Sequence, residues 1–242
     1  MNISVNQLSY QFGKNAALND VSFSLKAGFN ILLGPNGAGK STLFSLLTGL
    51  RKVTNGDISF NQQKMEKQRQ SILSKIGVVF QENTLDLDLS IKQNLGYFAS
   101  LHGLSEAKAL ANIEDVLTQL ALNDRLNDKV RNLNGGHRRR VEIARSLLHE
   151  PTFLLLDEPT VGLDIASRKL ILNFVRNYVK KRQSIVLWAT HLLEEVETDD
   201  VLLLLINGEV KGFDRCHKLL TQHKMDNVSE LFTNLTQAKG HK

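Results

Sequence analysis

The sequence predicts an α/β fold with a mainly parallel sheet, an antiparallel β region at its start and an α-helical subdomain inserted before a later strand. Three observations carry this. A short buried run, Phe29 to Leu33, enters a glycine-rich stretch at Gly34, and the helix-forming segment Lys40 to Thr48 follows, giving strand, loop, helix. From Phe153 onward apolar runs alternate with helical periodicity, the βαβ rhythm of a parallel sheet. Between about residues 84 and 150 the apolar positions recur at helical spacing.

In chain order, Ile3 and Val5, then Val21, Phe23 and Leu25, alternate with polar residues as half-buried strands do. Gly49 stops the helix that begins at Lys40, as glycine does just past a helix end. A strand is expected from Ile76 to Phe80. Ile91, Leu95 and Phe98, and later Leu110, Ile113, Leu117 and Leu120, fall three and four apart and place each set on one helical face. A buried strand then runs from Phe153 to Asp157, a helix carries Ile171, Phe174 and Tyr178, and strands follow at Ser184 to Ala189 and Val201 to Ile206. Asn207-Gly208 predicts a type I′ turn that folds Val210 to Phe213 back on its neighbour. The last 20 or so residues read as a short helical tail.

Composition narrows the class. Hydrophobic residues make up 42% and charged residues 23% of the 242, which suits a globular chain with a real core and excludes disordered or collagenous ones. The longest apolar runs, such as Val201 to Ile206, fall far short of the roughly 20 residues a bilayer-crossing helix needs, so no transmembrane segment is expected. The start, MNISVNQLSYQF, does not read as a secretory signal, which predicts a cytosolic chain. Lys plus Arg is 30 against 25 for Asp plus Glu, a formal charge of +5 that favours anionic partners. The lone Cys216 forms no internal disulfide, and beside His217 it supplies too few ligands for zinc.

Residues 34 to 42 read GPNGAGKST (Gly34, Pro35, Asn36, Gly37, Ala38, Gly39, Lys40, Ser41, Thr42) and satisfy the phosphate-loop pattern between a strand and a helix. Backbone N–H groups free of obstructing side chains can curl around a phosphate, and the helix points its positive end at the same anion. Lys40 would neutralise β- and γ-phosphates, and the Ser41 hydroxyl would take one place around Mg²⁺. An apolar strand then delivers Asp157 and Glu158 at its C-terminal end, the edge where open α/β sheets bind ligands. Asp157 suits Mg²⁺, mostly through water, and Glu158 suits the task of polarising the water that attacks phosphorus.

These two features fit any nucleotidase with a phosphate loop. With LNGGHRRRVEIAR at 133 to 145 just before the Asp-Glu strand, the set strongly resembles the ATP-binding subunit of an ATP-binding cassette (ABC) transporter, over residues 2 to about 220. In that family a phosphate loop, a glutamine after a strand (Gln81), a Leu-Ser-Gly-Gly-Gln signature, an Asp-Glu strand end, a loop ending in Leu163-Asp164 and a histidine (His191) occur in this order. The signature here departs at two positions, with Asn134 for the usual serine and His137 for the usual glutamine; Gly135 and Gly136 remain. The Asn134 amide can still donate to a phosphate oxygen as a hydroxyl would.

The resemblance implies the remaining roles. It makes Gln81 a contact of Mg²⁺ and the attacking water, His191 a donor to the γ-phosphate, and Phe12, ahead of Tyr10 as the candidate, the ring that stacks on adenine. It implies ATP and Mg²⁺ as cofactors, and a second, identical ATPase subunit placed head to tail so that Asn134 to Gly136 of one covers the ATP of the other. It further implies a separate membrane permease docking near Glu82 to Phe98, and a place on the cytoplasmic face of the membrane. The nucleotide-binding core would be 1–83 and 151–220, the helical subdomain about 84–150 and the tail 221–242. Arg138 to Arg140 and Thr160 to Asp164 resemble the exporter branch of drug, polysaccharide and nodulation-factor type. The alternative is a non-transport cassette ATPase acting on nucleic acid or in a soluble assembly complex. No nucleic acid is expected, because the chain has neither the long coiled coil nor the second cassette of such proteins.

Overall fold

The computed structural model describes residues 2–237. In chain order they form β1 (Asn2–Phe12), β2 (Asn15–Lys26), β3 (Gly28–Leu33), α1 (Lys40–Leu47), β4 (Asn55–Phe60), β5 (Gln63–Lys64), α2 (Arg69–Leu73), β6 (Ile76–Val79), α3 (Ile91–Leu101), α4 (Glu106–Asn112) and α5 (Glu114–Gln119). There follow α6 (Gly135–Ser146), β7 (Phe153–Asp157), α7 (Ile165–Arg182), β8 (Ile185–Thr190), β9 (Val201–Ile206), β10 (Glu209–Arg215), α8 (Cys216–His223) and α9 (Val228–Gln237). They fall into two compact units, one holding the chain up to Arg69 and from Ile185 on, the other Gln70–Ser184.

The first unit opens with an antiparallel sheet in the order β2-β1-β4-β5. Ile3 faces Leu25 and Val5 faces Phe23 across the β1–β2 pair, and all four are buried, as the alternation predicts. The sequence pattern does not predict the strand at Asn55–Phe60. Only Ile58 and Phe60 alternate there and Asn55-Gly56 looks like a turn, but pairing of Ile58 with Val5 and Phe60 with Ile3 makes it a strand.

In the same unit strands run β10-β9-β3-β8, with β3 parallel to both neighbours and β10 antiparallel. Ile31, Leu32 and Leu33 are all fully buried, which is why β3 is a continuous apolar run and does not alternate. Asn207 and Gly208 have φ of 50° and 75°, the pair of positive values a type I′ turn requires. The expected helical tail is α8 and α9: Cys216, Leu219 and Leu231 pack on Ile31, Leu33, Leu202 and Leu204. Residues 238–242 of that tail lie outside the described residues.

In the second unit β6 and β7 pair in parallel, Ile76 opposite Phe153 through Val79 opposite Leu156. The strand stops at Val79, so Gln81 stands two residues beyond it in irregular chain and not at the strand end. The helical region expected from about 84 to 150 is α3 to α6. Ile91, Leu95 and Ala99 bury one face of α3, whose start is fixed by a capping box between Ser90 and Gln93.

Candidate functional site

The phosphate loop of the first unit is a main-chain structure. Gly39 is the N-cap of α1 with φ of 101°, and a Cβ there would lie 2.5 Å from the Ala17 carbonyl oxygen, so only glycine fits. The turn is pinned by hydrogen bonds from Ala38 N–H to the Pro35 carbonyl (3.1 Å) and from Gly208 N–H to the Ala38 carbonyl (3.0 Å). No side chain caps α1, which leaves its first N–H groups to serve an anion. Lys40 is 6% exposed, and its ammonium donates to the carbonyls of Gly34 (2.7 Å) and Pro35 (3.1 Å), fixing the cation at the loop. Asn36, Gly37 and Ser41 are exposed; Pro35 and Thr42 are half-buried.

Phe12 and His191 belong to the same unit. Phe12 ends β1 with 43% of its surface exposed, its ring 5.2 Å from that of Tyr10 in an edge-to-face pair. The Arg51 guanidinium lies 4.6 Å from the centre of the Phe12 ring and donates to the Tyr10 hydroxyl at 3.3 Å. Tyr10 is thus engaged through its polar tip, and Phe12 has the more open ring. His191 follows the last residue of β8 and is half-buried.

The second unit holds the carboxylates. Asp157 is the last residue of β7 and is 5% exposed; Glu158 next to it is 6% exposed. Glu158 has φ of 47°, a left-handed backbone that costs a non-glycine residue about 1–3 kcal/mol and is characteristic of functional positions. Gln81 meets it there, its side-chain amide donating to Glu158 Oε2 at 3.2 Å. The two sequence-predicted residues are therefore brought together.

The signature segment forms the start of α6. Asn134 is the N-cap: its Oδ1 accepts the His137 N–H at 2.9 Å and lies 2.7 Å from His137 Nδ1. Because the backbone N–H must donate, that amide oxygen is the acceptor for both, His137 carries its proton on Nδ1, and the Asn134 NH₂ group remains free to donate outward. Burial first, then the charges of Arg140 and Arg125, pushes His137 below its ordinary pKa, so the ring is neutral at pH 7. Gly136 packs closely on α7: a Cβ there would sit 2.5 Å from Ser167 Oγ, so a larger residue needs the Ser167 side chain to move. Asp164 caps α7, its two oxygens accepting the Ser167 N–H and hydroxyl at 2.8 Å each, and that backbone bond holds its carboxyl below the usual range.

Three residues of α6 stand next to this site: Glu142 and Arg145, which the sequence did not single out, and Arg139, which it offered only as part of the run Arg138 to Arg140. Arg139 donates through Nη1 to the Phe80 carbonyl (2.7 Å) and through Nη2 to the Gln81 carbonyl (2.8 Å). Glu142 pairs with Arg139 at 2.9 Å and accepts the Thr84 N–H at 2.9 Å. Arg145 donates to the Thr84 carbonyl at 3.0 Å and lies over the Phe98 ring, 4.0 Å from its centre. Arg138 to Arg140 looked in sequence like one basic run, but Arg138 is turned toward the carbonyls of Val130 and Arg131. The available signal was the spacing of 139, 142 and 145, which puts three charges on one helical face.

Comparison with known proteins agrees with these features. A family model described as ABC transporter matches residues 18–161. The linearmycin resistance ATP-binding protein LnrL of Bacillus subtilis is 34% identical over 240 residues, covering 95% of this chain and 77% of that protein. The Nod factor export ATP-binding protein I of Burkholderia orbicola is 35% identical, covering 95% and 76%. Among solved structures, a dimeric ATP-binding cassette in a post-hydrolysis state with ADP and Pi superposes with a TM-score of 0.78 at 25% identity, over 88% of this chain and 98% of that one.

Proposed function

Because the chain belongs to the ABC transporter family as an ATP-hydrolysing subunit, we infer that two copies of it close head to tail over ATP and drive export through a separate membrane permease. The observation that carries the reading is the Gln81 amide on Glu158, because Gln81 directly precedes the segment, Glu82 to Phe98, that would dock on the permease. Chemistry and docking thus lie in adjoining residues. Within that segment Leu87 and Tyr97 are 43% and 59% exposed, apolar surface suited to a short cytoplasmic helix of the partner. Export is supported by the relatives, one named for resistance to linearmycin and the other for Nod factor export. No helix among the described residues is long and apolar enough to cross a membrane. The reading places the subunit on the cytoplasmic face, held there by the permease.

Each residue then has a task. Phe12 carries the adenine, the N–H groups of the loop and of α1 hold the phosphates, and Lys40 neutralises them. Glu158 orients and polarises the attacking water, with Gln81 fixing the carboxylate and His191 donating to the γ-phosphate. Asn134, Gly135 and Gly136 of the second copy donate to the same phosphate, and exposed Val161 and Ile165, on either side of Asp164, suit the surface between copies. Ser41, Gln81 and Asp157 each carry an oxygen ligand, the hard chemistry that suits Mg²⁺, which would neutralise phosphate charge. The core would comprise 1–83 and 151–220 and the helical part about 84–150.

The γ-phosphate supplies affinity for the closed pair, and its loss reopens it. Light scattering on the Glu158→Gln chain at saturating Mg-ATP tests this. A dimer that dissociates when ATP is replaced by ADP is expected, and a monomer under saturating Mg-ATP would overturn the reading.

A further inference from the structure

Gln81 can act on Glu158 only if its main chain is held in place, yet it lies outside any regular element. What holds it is α6. The guanidinium of Arg139, a residue 9% exposed, spans two successive carbonyls, Phe80 at 2.7 Å and Gln81 at 2.8 Å, with two separate nitrogens held rigidly in one plane. Its charge is met by Glu142, 1% exposed, whose other oxygen takes the Thr84 N–H at 2.9 Å. Arg145 closes the arrangement on the Thr84 carbonyl at 3.0 Å. Residues 80 to 84 therefore hang from one face of the helix that bears Asn134, Gly135 and Gly136 at its N-terminal end.

Burying an arginine and a glutamate forfeits much of their hydration, and a hydrophobic pair of similar volume often stabilises as well or better. The pair makes sense where direction matters, because a fork bonded to two carbonyls fixes where Gln81 stands in a way apolar packing does not.

We propose that Arg139 is a positioning residue for hydrolysis: it carries the Gln81 main chain on α6, so that movement of the helix tip that meets the second copy shifts Gln81 against Glu158. This rests on the reading of Gln81, Glu158 and Asn134 given above. Arg139 acts through the Gln81 main chain, and its effect falls on turnover and not on ATP affinity.

Steady-state phosphate release and equilibrium Mg-ATP binding on the purified chain test it. Arg139→Lys keeps the ion pair with Glu142 and loses the fork; the double variant Arg139→Gln, Glu142→Gln removes both charges, so that neither is left buried alone. In both, kcat falls roughly 10- to 100-fold, the loss expected from misplacing a reacting group by about an ångström, while ATP affinity stays within about two-fold. In a Gln81→Ala background Arg139→Lys adds no further loss, because the two act in series. A wild-type kcat in either folded variant, checked by thermal melting, would make the pair a structural one and overturn the proposal. So would a rise in KM at constant kcat, or losses that add in the Gln81→Ala background. A wild-type rate for Gln81→Ala alone overturns the reading of Gln81 itself; a reduced rate there with Arg139→Lys unaffected overturns only the part given to Arg139.

Discussion

The phosphate loop and the tip of α6 both offer N–H groups at the start of a helix, but they are built in opposite ways. In the loop, side chains are excluded: Gly39 takes a backbone that no other residue adopts cheaply, and α1 begins without a cap. At α6 a side chain completes the site, because Asn134 spends its oxygen on the first turn and keeps its NH₂ for a ligand. A site made of main chain admits little substitution, since the peptide path itself is the binding surface. A site finished by a side chain admits any residue with a donor in the right place, which is how asparagine can stand where serine is usual.

The comparison can be broken or sharpened by substitution. The largest effect expected is on rate: Glu158→Gln lowers phosphate release about 10²- to 10⁴-fold, the range for removal of a general base, and leaves Mg-ATP binding intact. Equal loss of binding would assign Glu158 to the ligand and not to the water. Next, Gly39→Ala destabilises the fold by about 1–3 kcal/mol in urea melts and weakens ATP binding, because the new Cβ meets the Ala17 carbonyl. Unchanged stability there would show that the loop can move aside, and its contrast with α6 would lapse.

A smaller effect belongs to the region that follows α6. His149 stacks on His102, ring centres 3.9 Å apart, and bonds the Ile76 carbonyl at 3.1 Å; burial first, then the charge of His102, pushes its pKa down to about 4. The folded value lies below the unfolded 6.5, so the unfolded chain binds more protons, and the stabilisation present above pH 6.5 is lost as pH falls toward 4. Allowing for partial exposure, the loss is about 2 kcal/mol. Urea melts at pH 7 and 4.5 read it, and His149→Gln should flatten the difference; an unchanged slope would place the titrating group elsewhere. Smallest is the cap: Asn134→Ala costs about 1 kcal/mol of stability, while Asn134→Ser costs little and still closes with ATP. If serine failed to support the closed dimer, the rule that any donor serves would be wrong.

How much could be read in advance follows the same division. The phosphate loop was legible because nine consecutive residues specify one backbone path, and the Asn207-Gly208 turn because two positive φ values are needed side by side. Asp157 and Glu158 were legible as a pair at a strand end, but the left-handed φ of Glu158 was not, since nothing local calls for it. The strand at Asn55–Phe60 was not legible because its pattern is short and its partner, β1, is remote in sequence. The roles of Arg139, Glu142 and Arg145 were not legible, because their partners at Phe80, Gln81 and Thr84 are remote in sequence.

The sequence by itself determined the phosphate loop with the strand and helix that flank it, the Asp-Glu strand end and the family, because each is written in neighbouring residues or in a fixed succession of short motifs. The tertiary structure alone decided that Gln81 bonds Glu158, 77 residues away, and that Arg139 holds the Phe80 carbonyl, 59 residues away. Those bonds join groups that are unremarkable in their own segments and gain their strength only once packing has removed the water between them.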